Sequence, residues 1–126
     1  MLVVLAACDQ PAGHVKPAAT AVSAPASSAP ASPVDEAKAL AQNRCASCHG
    51  AGGKGDGPNA ATLPVKPRDL SQKEWQKSVS DAQIRAVIVK GGAGVGKSIL
   101  MPPNPDLEAK PEVVDALVKL VRGYGG

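Results

Sequence analysis

The sequence predicts a mostly α domain whose long loops fold over a bound group, and three observations lead there. Apolar residues recur at helical spacing in three separate stretches, and no segment reads convincingly as a strand. Two long Gly/Pro-rich segments, residues 50–69 and 91–105, separate those stretches; loops of that length inside a compact domain are usually functional or wrapped around something. Aromatic residues are nearly absent: the 126-residue chain has no Phe, one Trp (Trp75) and one Tyr (Tyr124). Aromatic side chains normally supply much of a small core's buried area. A large flat hydrophobe bound in the core accounts for that deficit better than an all-aliphatic interior.

Each helix has its own start and stop signals. The first begins at Ser32-Pro33-Val34-Asp35, which offers an N-cap residue, a proline at the first helical position and an acid in the first turn. Val34, Ala37, Leu40 and Ala41 then share one face as far as Arg44. The second begins at Ser80-Asp81-Ala82-Gln83, a capping box, carries Ile84, Val87 and Ile88 on one face, and stops at Gly91. The last runs from about Pro111 to about Gly123 and buries Val113, Val114, Leu117, Leu120 and Val121. Residues 34–126 thus form one folded unit, too short for the cores of a two-domain enzyme.

The residues before it are of another kind. Residues 1–7 are apolar and lead into Cys8, but they are too short for a membrane span and no charged segment precedes them. Leu5-Ala6-Ala7-Cys8 resembles the lipobox of bacterial lipoproteins, in which Cys8 would receive lipid and residues 1–7 would be the remnant of a signal peptide whose true start lies further upstream. The alternative is an idle thiol at a chain end. Residues 9–33 are mostly Pro, Ala and Ser, with too little to bury to offset their ordering entropy. Residues 8–33 read as an anchor and tether, reaching about 75 Å as polyproline II and about 28 Å as a coil. His14 falls in this tether as a solvated side chain.

Cys45-Ala46-Ser47-Cys48-His49 is the pattern by which a haem is attached through thioethers. Two thiols at this spacing add across the two vinyl groups, and the adjacent imidazole is placed to bind the iron. A thioredoxin-like motif would need a βαβ context, and none is visible. A zinc site needs a further ligand, whereas the only other His and Cys lie in the tether and at the anchor. A structural disulfide would leave His49 and the missing aromatics unexplained. For the second axial position the folded unit offers one sulfur, Met101, in Ser98-Ile99-Leu100-Met101-Pro102-Pro103, where two prolines stiffen the loop. The competing role for Met101 is that of an ordinary gap-filler.

At these residues the chain resembles class I monohaem cytochromes c, particularly small bacterial periplasmic ones, over essentially all of residues 34–126. The resemblance rests on Cys-Ala-Ser-Cys-His-Gly, on Gly55-Asp56-Gly57-Pro58-Asn59-Ala60, on the glycines leading to Gly-Lys-Ser and Met-Pro, and on the final amphipathic helix. It implies a small cytochrome c fold of three to four helices around one covalent haem c. It further implies that a proline carbonyl accepts the Nδ1–H of His49, with Pro58 at the matching position and Pro64 as the fallback. The family also packs its first helix against its last, usually with an aromatic residue at the crossing. Here the first helix offers small Ala and Leu residues and no aromatic, and Tyr124 stands near the end of the last.

Other signals are weaker. Gly91 to Ser98 satisfies the P-loop pattern, but a P-loop must open a helix while two prolines arrive four residues after Ser98, and only 29 residues follow Lys97, too few for a nucleotide-binding sheet. No nucleotide is expected. A net charge of +3 without a basic run gives no support for nucleic-acid binding. Lys54, Lys66, Arg68 and Lys97 fall in the predicted haem-facing loops, either steering an acidic redox partner or lying solvated on the surface. Arg68 or Trp75 is a candidate partner for a haem propionate. The expectation is an electron carrier rather than an enzyme, tethered at a membrane on the periplasmic side and exchanging electrons with partner proteins. The alternative is a haem subunit, or a ligand-binding or catalytic haem site, within a larger redox enzyme.

Overall fold

The structure, a computed structural model, describes residues 32–126. Residues 1–31, with Cys8, His14 and most of the tether, lie outside the described residues, while Ser32 and Pro33 at the tether's end belong to the first helix. Ser32 caps the first helix, its Oγ accepting from the Asp35 N–H at 3.2 Å, and Pro33 takes the first helical position. This helix, α1 (Pro33–Leu40), does not end at Arg44. It passes through a π-helical turn, Ala41–Cys45, into α2 (Ala46–His49), and stops at Gly50 with φ 77°. No proline or glycine interrupts residues 34–49, so nothing halts helix propagation before Gly50. The π turn accommodates one extra residue, with Ala46 N–H donating to the Ala41 carbonyl. It turns the attachment residues relative to the face that α1 packs on.

A short helix that the apolar pattern does not announce, α3 (Lys73–Ser78), follows the first long loop. Next comes α4 (Asp81–Lys90), with both bonds of the Ser80–Gln83 capping box formed. The last helix, α5 (Pro111–Gly123), has Pro111 and Glu112 in its first turn and Arg122 in its last, matching the helix dipole at both ends. Among the described residues there is no strand, and no helix is long and apolar enough to cross a membrane.

α5 is the centre of the packing and touches both α1 and α4. The core is wholly aliphatic: Ala37 from α1, Ile84 and Ile88 from α4, Leu107, and five residues of α5 from Val113 to Val118. Ala37 is completely buried, so it is the small residue that lets α1 approach α5 closely. Ion pairs Glu36–Lys110 and Arg85–Asp115 brace these contacts from outside. Tyr124 caps the C-terminal end of α5. Its ring lies on the backbone of Gly53, in the loop after the attachment helix.

Candidate haem attachment site

Cys45, Cys48 and His49 stand at i, i+3 and i+4 along one continuous helix, which puts them on one face. Both thiols are free and half-buried. Burial pushes the Cys45 thiol above its ordinary pKa, against the lowering effect of Arg44. Among the described residues no three His, Cys, Asp or Glu side chains converge on a bare metal ion. The two thiols and the imidazole on one helix face keep the spacing of the thioether attachment pattern.

The protonation state of His49 follows from its surroundings. Burial lowers its pKa, only partly countered by a bond to the Arg68 carbonyl, so the ring is held toward its neutral form. Nδ1 lies 3.1 Å from that carbonyl. A carbonyl oxygen only accepts, so Nδ1 carries the proton and Nε2 keeps its lone pair. This is the tautomer of an iron ligand with its second nitrogen oriented by the protein. The free thiols and this imidazole fit haem c.

The acceptor is not the one the resemblance implied. Pro58 and Pro64 are both exposed, and neither accepts from His49. Pro58 belongs to the turn that closes the C-terminal end of α2: Gly55, Gly57 and Asn59 N–H groups donate to the carbonyls of His49, Cys48 and Ser47 at 2.8, 3.1 and 2.8 Å. Gly57 runs so close that a Cβ there would overlap the Ala46 and Ser47 carbonyls. The segment that reaches Nδ1 is residues 67–70, drawn alongside the loop by a 2.6 Å bond from Leu70 N–H to the Gly53 carbonyl. Arg68 thus contributes its backbone to the site, while its side chain is exposed. Trp75 packs half-buried against the aliphatic core.

Met101 lies half-buried in the second long loop, where its carbonyl accepts from Gly92 N–H at 2.9 Å. Gly91 has φ 69°, and a Cβ on it would meet the Pro103 nitrogen at 2.6 Å and the Met101 carbonyl at 2.8 Å, so the loop closes directly onto the end of α4. Asn104, 9 % exposed, then ties three segments together. Its N–H donates to the Val89 carbonyl (2.9 Å), its Nδ2 donates to the Ile88 carbonyl (2.7 Å), and its Oδ1 accepts from Arg44 (2.8 Å). Arg44 immediately precedes Cys45, and three residues of chain span at most about 10 Å. Met101 is therefore kept in the neighbourhood of the attachment helix. The P-loop pattern has the wrong setting: it follows a helix and opens only a 3-10 turn, Ala93–Val95. Lys54, Lys66 and Lys97 are all exposed.

The family model of cytochrome c matches residues 34–124, and the chain belongs to that family. No curated protein matches it. It is a haem-based electron-transfer protein with a small, mostly α cytochrome c fold, carrying covalent haem c for which Cys45 and Cys48 fit the attachment motif.

Proposed function

We propose that this chain is a single-electron carrier with His49 Nε2 and Met101 Sδ as the two axial ligands of the haem iron, tethered at the periplasmic face of a membrane through a lipid on Cys8. The observation that carries the ligation is the His49 ring, neutral and with Nδ1–H committed to the Arg68 carbonyl, on the same helix face as the two thiols. The group supplies an Fe(II)/Fe(III) couple when bound. The protein's part is to hold rather than to react. Cys45 and Cys48 anchor covalently, His49 is oriented through Nδ1, and the Gly91–Pro103 closure holds the Met101 backbone. With both axial positions filled, little reorganises between oxidation states and no substrate coordinates. Support for the tether comes from Leu5-Ala6-Ala7-Cys8 and the Pro/Ala/Ser stretch that follows. The exposed Lys54, Lys66, Arg68 and Lys97 suit an acidic redox partner.

A redox titration with optical detection tests the carrier reading. The oxidised protein is expected to show the sulfur-to-iron charge-transfer band and to resist cyanide, and the reduced protein to resist CO. Rapid binding of either ligand without that band overturns it in favour of a ligand-binding or catalytic haem site. For the tether, Cys8→Ala is expected to move the protein from the membrane to the soluble fraction with its spectrum unchanged.

A further inference from the structure

The end of α5 reaches the His49 imidazole through hydrogen bonds and one short stretch of backbone, residues 68–70. Gln76, half-buried on α3, donates through Nε2 to two carbonyls, Leu70 six residues before it (2.7 Å) and the distant Val121 of α5 (2.8 Å). Arg122 braces Gln76 in turn, donating to its Oε1 at 3.0 Å and its backbone carbonyl at 2.6 Å. The same guanidinium donates to the Val79 carbonyl and to Asp81, both at 2.7 Å, so both sides of the α3–α4 junction are held. Leu70 is also gripped from its other side, by the Gly53 carbonyl, on whose residue the Tyr124 ring lies. Only Asp69 separates Leu70 from Arg68, and its carboxylate accepts from the Ser71 N–H (2.9 Å) and hydroxyl (2.6 Å), stiffening the turn. The Arg68 carbonyl thus sits on a segment pinned immediately downstream.

We propose that Gln76 and Arg122 are positioning residues for His49: their clamp holds the Arg68 carbonyl against Nδ1–H and thereby sets how basic the imidazole is toward iron. The inference rests on His49 being an axial ligand, as proposed above. A carbonyl accepting from the distal ring nitrogen raises the basicity of the ligating one. Loosening that bond makes the imidazole a poorer donor, which favours the ferrous state. The clamp therefore depresses the potential relative to an unclamped chain.

The test is Gln76→Glu in the full-length holoprotein. The substitution keeps side-chain length and the Arg122 contact but replaces the Nε2 donor by an acceptor facing the Leu70 and Val121 carbonyls. The His49 Nδ1 proton is expected to exchange with solvent about tenfold faster, roughly one hydrogen bond's worth, and the midpoint potential to rise. Arg122→Lys, a milder change, is expected to shift both in the same direction by less. Val118→Ala, on the same helix but away from the clamp, is expected to lower Tm while leaving exchange and potential at wild-type values. If Gln76→Glu lowers Tm and moves neither readout, or if Val118→Ala moves both equally, the clamp is merely structural and the inference falls alone. If wild-type protein shows no iron-shifted His49 imidazole resonances, the ligation fails and the inference falls with it.

Discussion

The two long loops are held by different means. Residues 50–70 are bonded to the attachment helix through backbone: three N–H groups cap the carbonyls of Ser47, Cys48 and His49, and Leu70 bonds to Gly53. Residues 91–104 fold back on themselves and on α4, through Gly92 to Met101 and Asn104 to Val89, and meet the attachment helix through the side chains of Arg44 and Asn104. Residues 96–99 between those ties are exposed, Ile99 by 80 %. Backbone bonds survive most substitutions, whereas a side-chain pair is lost with either partner. The histidine side of the site is thus built to stay and the methionine side to open first.

The largest effect expected removes what both loops enclose. Cys45→Ala with Cys48→Ala leaves nine buried apolar side chains, none aromatic, to stabilise the fold. That apoprotein is expected to be largely unfolded by circular dichroism; a cooperative thermal transition would show that the polypeptide core suffices.

Gly91→Ala strikes the methionine loop where φ is 69° and the Pro103 nitrogen leaves no room for a Cβ. A left-handed backbone and overpacking together cost about 2–4 kcal/mol. Calorimetry should show the loss, and cyanide should bind the oxidised protein faster. Unchanged cyanide kinetics would mean that the glycine serves the end of α4 alone.

Asn104→Leu is expected to cost less, about 1–3 kcal/mol, because the Ile88 carbonyl loses its side-chain donor while Arg44 keeps Asp106. The charge-transfer band should weaken with thioether attachment intact. An unaltered band would remove Asn104 from the loop's support.

The smallest effect belongs to the histidine side. Hydrogen bonds from Ser71 hold the Asp69 carboxyl below its ordinary pKa of 3.8. A carboxyl depressed in the folded state stabilises above its unfolded pKa, and that contribution is lost as pH falls through the folded value. Asp69→Asn is therefore expected to flatten the acid limb of stability slightly, below pH 4, with the neutral-pH spectrum unchanged. An unchanged acid limb in urea titrations would show that Asp69 does not brace this segment.

Helix starts were legible because their signals are local: Ser32 with Pro33, Ser80 with Gln83, and Pro111 each act within one turn. The helical run through Cys45 to His49 was less so, since the apolar face is readable only as far as Arg44 although nothing in the attachment motif breaks a helix. The short α3 carries no side-chain N-cap bond, and its structure depends on Gln76 and Arg122, which lie 46 residues apart. The carbonyl at His49 was misread for a similar reason. Counting residues from the histidine reaches Pro58, but the chain path taken by residues 50–70 delivers Arg68.

The chemistry of attachment, the aliphatic core and the need for a bound hydrophobe were all determined by the sequence alone, because they depend on which atoms stand within a few residues of one another. Tertiary structure alone decided which carbonyl orients His49, that the Tyr124 ring lies on Gly53, and that Asn104 joins the methionine loop to Arg44. Those outcomes are set by contacts between segments far apart along the chain, and such contacts are chosen by the packing of the whole domain rather than by any local pattern.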